Sequence, residues 1–203
     1  ELTSVVRDTI SDYNFNELNK FDGVFRHSQL LRAVDNADPS IQNSTIRPYM
    51  FMTIDPSNSQ SNNFDLSFTS PFYQTGQSTS SLISSTSFLI SSVEHYFGDV
   101  PITGSINRKV IVYKIIAGEK VTVINDAGLV EVDAGKITLN NFRPDDTSTI
   151  RITVIPDSLD LAPKRNQLIS IDPLRVNITP DVDTISLSGS SGTVKYTTTS
   201  RLR

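Results

Sequence analysis

Residues 106–139 read INRKVIVYKIIAGEKVTVINDAGLVEVDAGKITL, and this stretch decides the fold. Residues 106–116 are dense in β-branched and aromatic types, which predicts a strand and, from its apolar weight, a central one. Val121 and Val123 then alternate with Lys120 and Thr122, the period-two signature of a strand with one buried face. Asn125-Asp126-Ala127-Gly128 is expected to turn the chain, Val130 and Val132 to return it, and Asp133-Ala134-Gly135 to turn it again into Ile137 and Leu139. The physical basis is turn chemistry: Asp bonds its own backbone and Gly supplies a positive φ. The result is an antiparallel meander.

Downstream, residues 149–172 read TIRITVIPDSLDLAPKRNQLISID. Ile150, Ile152 and Val154 alternate with Arg151 and Thr153, so a strand is expected there. Pro156 and Pro163 bracket a charged connection, because proline has no N–H for a ladder. A second strand is expected over 166–172, others over 174–178 and 182–187, with Gly189-Ser190-Ser191-Gly192 as a turn and 193–203 as a polar, basic tail. Upstream, residues 46–54 (IRPYMFMTI) read as a strand that Pro48 confines to an edge. Phe64, Leu66 and Phe68 alternate with polar neighbours as another. Residues 57–92 are rich in Ser, Thr, Asn and Gln. They read either as linker or as ordered strands with hydroxyl-rich faces, and Leu82, Ile83, Phe88, Leu89 and Ile90 favour order.

Helical signals gather near the start. Phe15, Leu18, Phe21, Val24 and Phe25 recur at helical spacing, with Gly23 weakening the middle. Ser28 is the expected N-cap of a second helix carrying Leu30, Leu31 and Val34, and Asp38-Pro39 ends it. Residues 1–13 are expected to be a strand or linker around Val5 and Val6. The fold class is therefore α+β and β-dominated, with antiparallel strands, a hairpin meander and one or two N-terminal helices. The expected segments are a helical one over 1–43, a Ser/Thr-rich β region over 44–104, a meander domain over 105–188 and a tail over 189–203.

Composition narrows function mainly by exclusion. The 203 residues are enough for a real core, but only 37% are hydrophobic, which suits polar strand faces or a core shared with a partner. A net charge of −4 disfavours phosphate-backbone binding, so no nucleic-acid partner is expected. There are no cysteines, which removes disulfides, thiolate metal sites and cysteine nucleophiles. No apolar run approaches the roughly 20 residues of a membrane span, so no membrane partner is expected. No signal peptide is visible, and the start at Glu1 without Met is read as that of a fragment. The triplets Asn43-Ser44-Thr45 and Asn177-Ile178-Thr179 are read as ordinary turn and strand polarity.

Chemical motifs are scarce. His27 and His95 are the only histidines and lack metal-ligand spacing. No Gly-x-Ser-x-Gly elbow occurs. Asp145-Asp146, Asp157 with Asp160, and Asp181 with Asp183 fall in turn-like segments. They read as caps and solubilising charges rather than a glycosidase pair or a calcium loop. The glycine-serine run at 189–192 lacks the Lys-Ser/Thr of a phosphate loop. Neither a catalytic residue nor a cofactor or metal is expected. Surfaces are the better candidates: the helix face with Leu30 and Leu31, the aromatic strand with Tyr49 and Phe51, and the basic pair Lys164-Arg165, which reads as a solvated loop or a contact to a partner.

Three segments taken in order resemble the J-like baseplate wedge proteins of contractile-tailed phages, in particular the large T-even-type wedge protein. They are FRHSQLLRAV at 25–34 followed by DPSI at 38–41, NDAG at 125–128 through GKITL at 135–139, and DSLDLAP at 157–163 with QLISID at 167–172. The resemblance spans most of residues 7–178 and rests on structural rather than catalytic motifs. It implies a C-terminal fragment of a non-enzymatic virion scaffold, assembled in the host cytoplasm. It further implies a homodimer whose contacts join wedges into a ring around the hub and rearrange when the tail is triggered. The implied partners are a second copy and other wedge and hub-proximal proteins. Two other readings stay open: a carbohydrate-binding or adhesin-like β module using Tyr73, Tyr96 and Tyr113, and, third, a glycoside hydrolase.

Overall fold

The computed structural model describes residues 1–74, 80–164 and 167–182. Helix α1 spans Leu2–Tyr13 and buries Val6, Ile10 and Tyr13, which recur at spacings of four and three. The expectation of a strand or linker here is corrected. Val5, Val6, Thr9 and Ile10 are β-branched and poor helix formers, but packing of one face outweighs a propensity of a few tenths of a kcal/mol per residue. A π-helical turn, Asn14–Leu18, continues α1 and carries Leu18 into the core. Phe15 and Phe21 are 75% and 91% exposed, so the helical face expected over 15–25 does not form.

Helix α2 spans His27–Asp35 and buries Leu30 and Val34, one turn apart. Its N-cap is Arg26 rather than Ser28, and no local side chain caps it. The acceptor comes from far along the chain: Asp160 takes the His27 N–H at 2.9 Å and the Arg26 guanidinium at 2.9 Å. A carboxylate at a helix N-terminus satisfies an orphan donor and meets the positive end of the helix dipole.

The strands form two antiparallel sheets. The larger has six strands in the order β2 (Asn62–Ser67), β8 (Lys136–Phe142), β7 (Glu119–Glu131), β6 (Arg108–Ile116), β5 (Val93–Pro101), β4 (Phe88–Ile90). The smaller has three, in the order β1 (Met50–Ile54), β9 (Ile150–Val154), β3 (Ile83–Ser85). The fold is α+β and β-dominated, as the patterning predicts. β6 is interior, as expected. β9 buries Ile150, Ile152 and Val154 and turns Arg151 and Thr153 outward. β1 pairs with β9 alone, so Pro48 does precede an edge strand. Where described, the Ser-rich stretch supplies β2, β3 and β4.

The meander differs from expectation at one point. Asn125–Gly128 is not a turn but lies inside β7, which runs unbroken from Glu119 to Glu131. The hairpin turn is Ala117-Gly118, with φ of 51° and 85°, positive at both central positions as a tight primed turn requires. At 125–128 the β7 register slips: Val110 pairs with Gly128 but Val112 with Ile124, which makes a bulge. A Cβ on Gly128 would collide with the Thr138 carbonyl of β8, so only glycine fits that rung. The second expected turn is real: Gly135, with φ of 61°, donates to the Val132 carbonyl at 3.2 Å between β7 and β8.

Among the described residues after β9 no further sheet strand forms. Residues 167–172 and 176–182 run without a ladder on either side of a short 3-10 turn, Pro173–Arg175. Ile169, Ile171, Val176 and Ile178 pack against the core, which accounts for the apolar alternation, but side chains rather than strands hold the backbone. Arg7 donates to the Pro173 carbonyl at 2.6 Å, and Asn14 accepts the Ile171 N–H at 2.7 Å. The strand expected over 182–187, apart from Val182, and everything expected over 189–203 lie outside the described residues.

One buried cluster joins both sheets and both helices. Phe88, Phe97 and Phe142 meet in it with ring centroids 4.7 to 4.9 Å apart. A buried ion pair within the large sheet reaches across to the small one. Asp99 of β5 pairs with Arg108 of β6, their side chains 0% and 1% exposed. The same carboxylate accepts the Leu82 N–H at 2.7 Å, the Ile83 N–H at 2.9 Å and the Ser81 hydroxyl at 2.6 Å. Arg108 also donates to the Ser80 carbonyl at 2.8 Å. The pair thus fixes the entry of β3, in the small sheet, onto the large one. A charged pair this deep is tolerated because its polar atoms are met by hydrogen bonds.

Candidate assembly surfaces

The expected surface residues separate into three places. Leu30, Tyr49 and Phe51 line one open groove of about 1720 Å³. Its walls are the inner faces of α1 and α2, the irregular segment 40–49 leading into β1, and residues 167–172 and 175–182. Leu30 is only 3% exposed and belongs to the core at the groove floor, while Tyr49 is 58% and Phe51 38% exposed at its rim. The Arg151 guanidinium lies 5.9 Å from the Phe51 ring centre, within cation–π range. Leu31 is half-buried and does not line the groove. Lys164 lies elsewhere, its ammonium donating to the Ala134 carbonyl at 3.2 Å beside the β7–β8 turn. Arg165 lies outside the described residues.

A second surface was not anticipated. The hairpin of β6 and β7 outruns its neighbours: β5 pairs with β6 only as far as Tyr113, and β8 with β7 only from Gly128 onward. Residues 115–126 are exposed throughout, with Ile115, Ile116, Val121, Val123 and Ile124 among them. The sequence shows the apolar alternation of this arm, but not that both of its faces meet solvent. At its base Tyr96 and Tyr113 stack with ring centres 5.6 Å apart, and Lys120 sits 4.8 Å above the Tyr113 ring.

Most of the groups considered for chemistry have structural partners among the described residues. His27 bonds the Ile46 carbonyl through Nε2 at 3.0 Å, and His95, 4% exposed, bonds the Val93 carbonyl through Nδ1 at 2.8 Å. Asp145 accepts the Ser92 N–H at 2.8 Å and Asp146 the Leu89 N–H at 3.3 Å. The Arg26 guanidinium beside Asp160, helped by the His27 N–H, holds that carboxyl below the ordinary carboxylate range. Asp181 accepts the Val182 N–H at 2.9 Å, and Asp183 lies outside the described residues. Among the described residues no group of three His, Asp or Glu side chains could hold a metal ion. No helix among the described residues is long and apolar enough to cross a membrane.

Residues 1–52, from α1 through α2 to the start of β1, match the family model described as baseplate structural protein gp6, C-terminal domain III. No curated protein matches the chain. The match supports a structural component of a phage tail baseplate.

Proposed function

We propose that this chain is a wedge-type scaffold of a contractile-tail baseplate. In this reading it pairs with a second copy, the pairs join wedges into a ring around the hub, and the contacts rearrange when the tail is triggered. It acts by shape and surface rather than by catalysis. The observation that carries the proposal is the match of residues 1–52 to a baseplate structural domain. The arrangement of that segment adds to it. The two helices form one wall of an open groove, with aromatic side chains at its rim and polar residues such as Gln42, Asn43 and Ser44 along its lip. An apolar floor with a polar rim is the anatomy of a protein contact.

Light scattering on the 203-residue chain across a concentration series tests the pairing. A mass rising toward two chains is expected. A strict monomer at high concentration removes the homodimer and leaves only contacts to other baseplate proteins. Addition of the chain to wedge complexes lacking it should restore their joining into rings.

A second reading has one observation in its favour. The stacked Tyr96–Tyr113 pair with Lys120 above it is an aromatic platform on which a sugar ring could rest. A glycan array separates the two readings: reproducible binding that disappears in Tyr113→Ala would favour a carbohydrate-binding module.

A further inference from the structure

The free part of the β6–β7 arm carries an open strand edge. Beyond the Leu139–Gly128 rung nothing pairs with the outer side of β7 among the described residues. Residues 119–127 read EKVTVINDA, without proline and with β-branched side chains from Val121 to Ile124. Val121, Val123 and Ile124 are 39%, 46% and 39% exposed, and Ile115 and Ile116 on the other strand 53% and 49%. Unpaired backbone along such a segment is a template for another strand. Proteins that stay single guard these edges with proline, an inward charge or a lysine. Here Lys120 is drawn back over the Tyr113 ring.

We propose that two copies of this chain pair antiparallel through their β7 edges, about a two-fold axis at Val123. This deepens the self-association proposed above and rests on it. The charges choose the register. With the axis at Val123, Lys120 of each copy stands opposite Asp126 of the other, Thr122 opposite Ile124, and Val123 opposite itself. With the axis between Thr122 and Val123, Glu119 would face Asp126, and like charges directly opposite oppose pairing. The other registers centred from Val121 to Ile124 bring no opposite charges face to face. Asp126 already touches Lys109 at 3.5 Å, but its side chain is 71% exposed and open to a second cation. The paired arms would make a continuous four-stranded ribbon in which the exposed valines and isoleucines of one copy lie beside those of the other. An isologous contact of this kind needs no second surface.

The chain has no cysteine, so a single introduced thiol reports on the axis directly. In Val123→Cys, two thiols meet across the two-fold. Mild oxidation is expected to give a reductant-sensitive dimer, while Leu174→Cys, at a 91% exposed site, stays a monomer. Lys120→Asp and Asp126→Lys each set like charges opposite one another, and each should weaken dimerisation at least several-fold. The double variant K120D/D126K exchanges the charges and should restore it. Circular dichroism on each variant confirms that the fold persists. A scattering dimer without a Val123→Cys cross-link overturns the edge pairing but leaves self-association through another surface standing. A monomer in every variant and in the parent overturns both. A cross-link with no rescue in the double variant overturns the register.

Discussion

Strand β7 has two halves that obey different physics. Residues 119–126 are exposed on both faces, and Ala127, Gly128, Val130 and Val132 at and beyond its end are buried. Both halves carry valines, Val121 and Val123 in the first and Val130 and Val132 at the end of the second, so valine content does not separate them. What differs is the neighbourhood. The base has β8 on one side and β6, braced by β5, on the other; the tip has only its hairpin partner. Apolar residues stabilise the monomer only where something covers them. The base therefore holds the fold, and the tip is free to serve a surface role.

The sharpest way to break this comparison is at the buried pair beneath the base. Asp99→Ala leaves Arg108 charged without that carboxylate and strips acceptors from Leu82, Ile83 and Ser81. Removing one partner of a buried pair costs about 3–5 kcal/mol. Urea unfolding should show the midpoint falling accordingly. A loss below about 1 kcal/mol would mean that the sheets do not depend on this clamp. Next in size, Leu139→Ala on β8 empties a fully buried site beside Gly128. It should cost about 2–5 kcal/mol, by transfer and cavity terms together, in the same assay.

The clamp also shows where sequence reading stops. β9 and β6 were legible because a buried strand face must alternate or run apolar, and Ile150, Ile152 and Val154 do so in the chain itself. Asp99 carries no such mark. Its partners lie at 81–83 and at Arg108, and only the fold brings them together; Arg108 gives no clue either, since it stands beside Lys109 at the start of β6. Asn125–Gly128 was misread because bulges and turns draw on the same residues: Gly128 answers to a close approach of β8, not to a hairpin. Helix α1 was missed because its β-branched residues argue for a strand, and the packing that overrides them is tertiary. The candidate surfaces divide in the same way. Tyr49 and Phe51 stood out as aromatics on an edge strand, and their exposure at the groove rim follows from that edge. The arm could not be found, because exposure of a regular apolar alternation depends on where neighbouring strands end.

A smaller effect is expected in acid, away from the core. Asp65 and Asp160 are both held below the ordinary value of 3.8, Asp65 by Lys136 and then Thr138, Asp160 by Arg26 and then the His27 N–H. Each binds a proton more readily in the unfolded chain. Each therefore contributes stability that is present above about 3.8 and lost as pH falls through the lower folded-state value. These are exposed contacts screened by solvent, so their effect should fall below that of the buried sites. Melting temperature plotted against pH should decline below about pH 4, the onset set by ordinary carboxylates. Asp160→Asn should lower the plateau slightly and flatten that decline, since the α2 cap then no longer titrates. An unchanged acid limb would remove Asp160 from the account.

The least costly change should be at the tip of the arm. Ile116→Ser replaces a side chain that is 49% exposed and opposite Glu119, one rung from the turn. A surface substitution of this kind is expected to move monomer stability by no more than about 0.5 kcal/mol. The same exchange at the base, in the fully buried Ile137, would remove a core contact and expose a hydroxyl to unmet burial. Unfolding measured for the two serine variants at a concentration too low for association gives the contrast without interference from pairing. If Ile116→Ser cost as much as the core variant, the tip would have to be packed against the body, and the division of β7 into a folding half and a surface half would fail. If it is silent in the dilute monomer but lowers stability as concentration rises, the exposed valines and isoleucines are buried only between copies, because binding to the folded state alone stabilises by mass action.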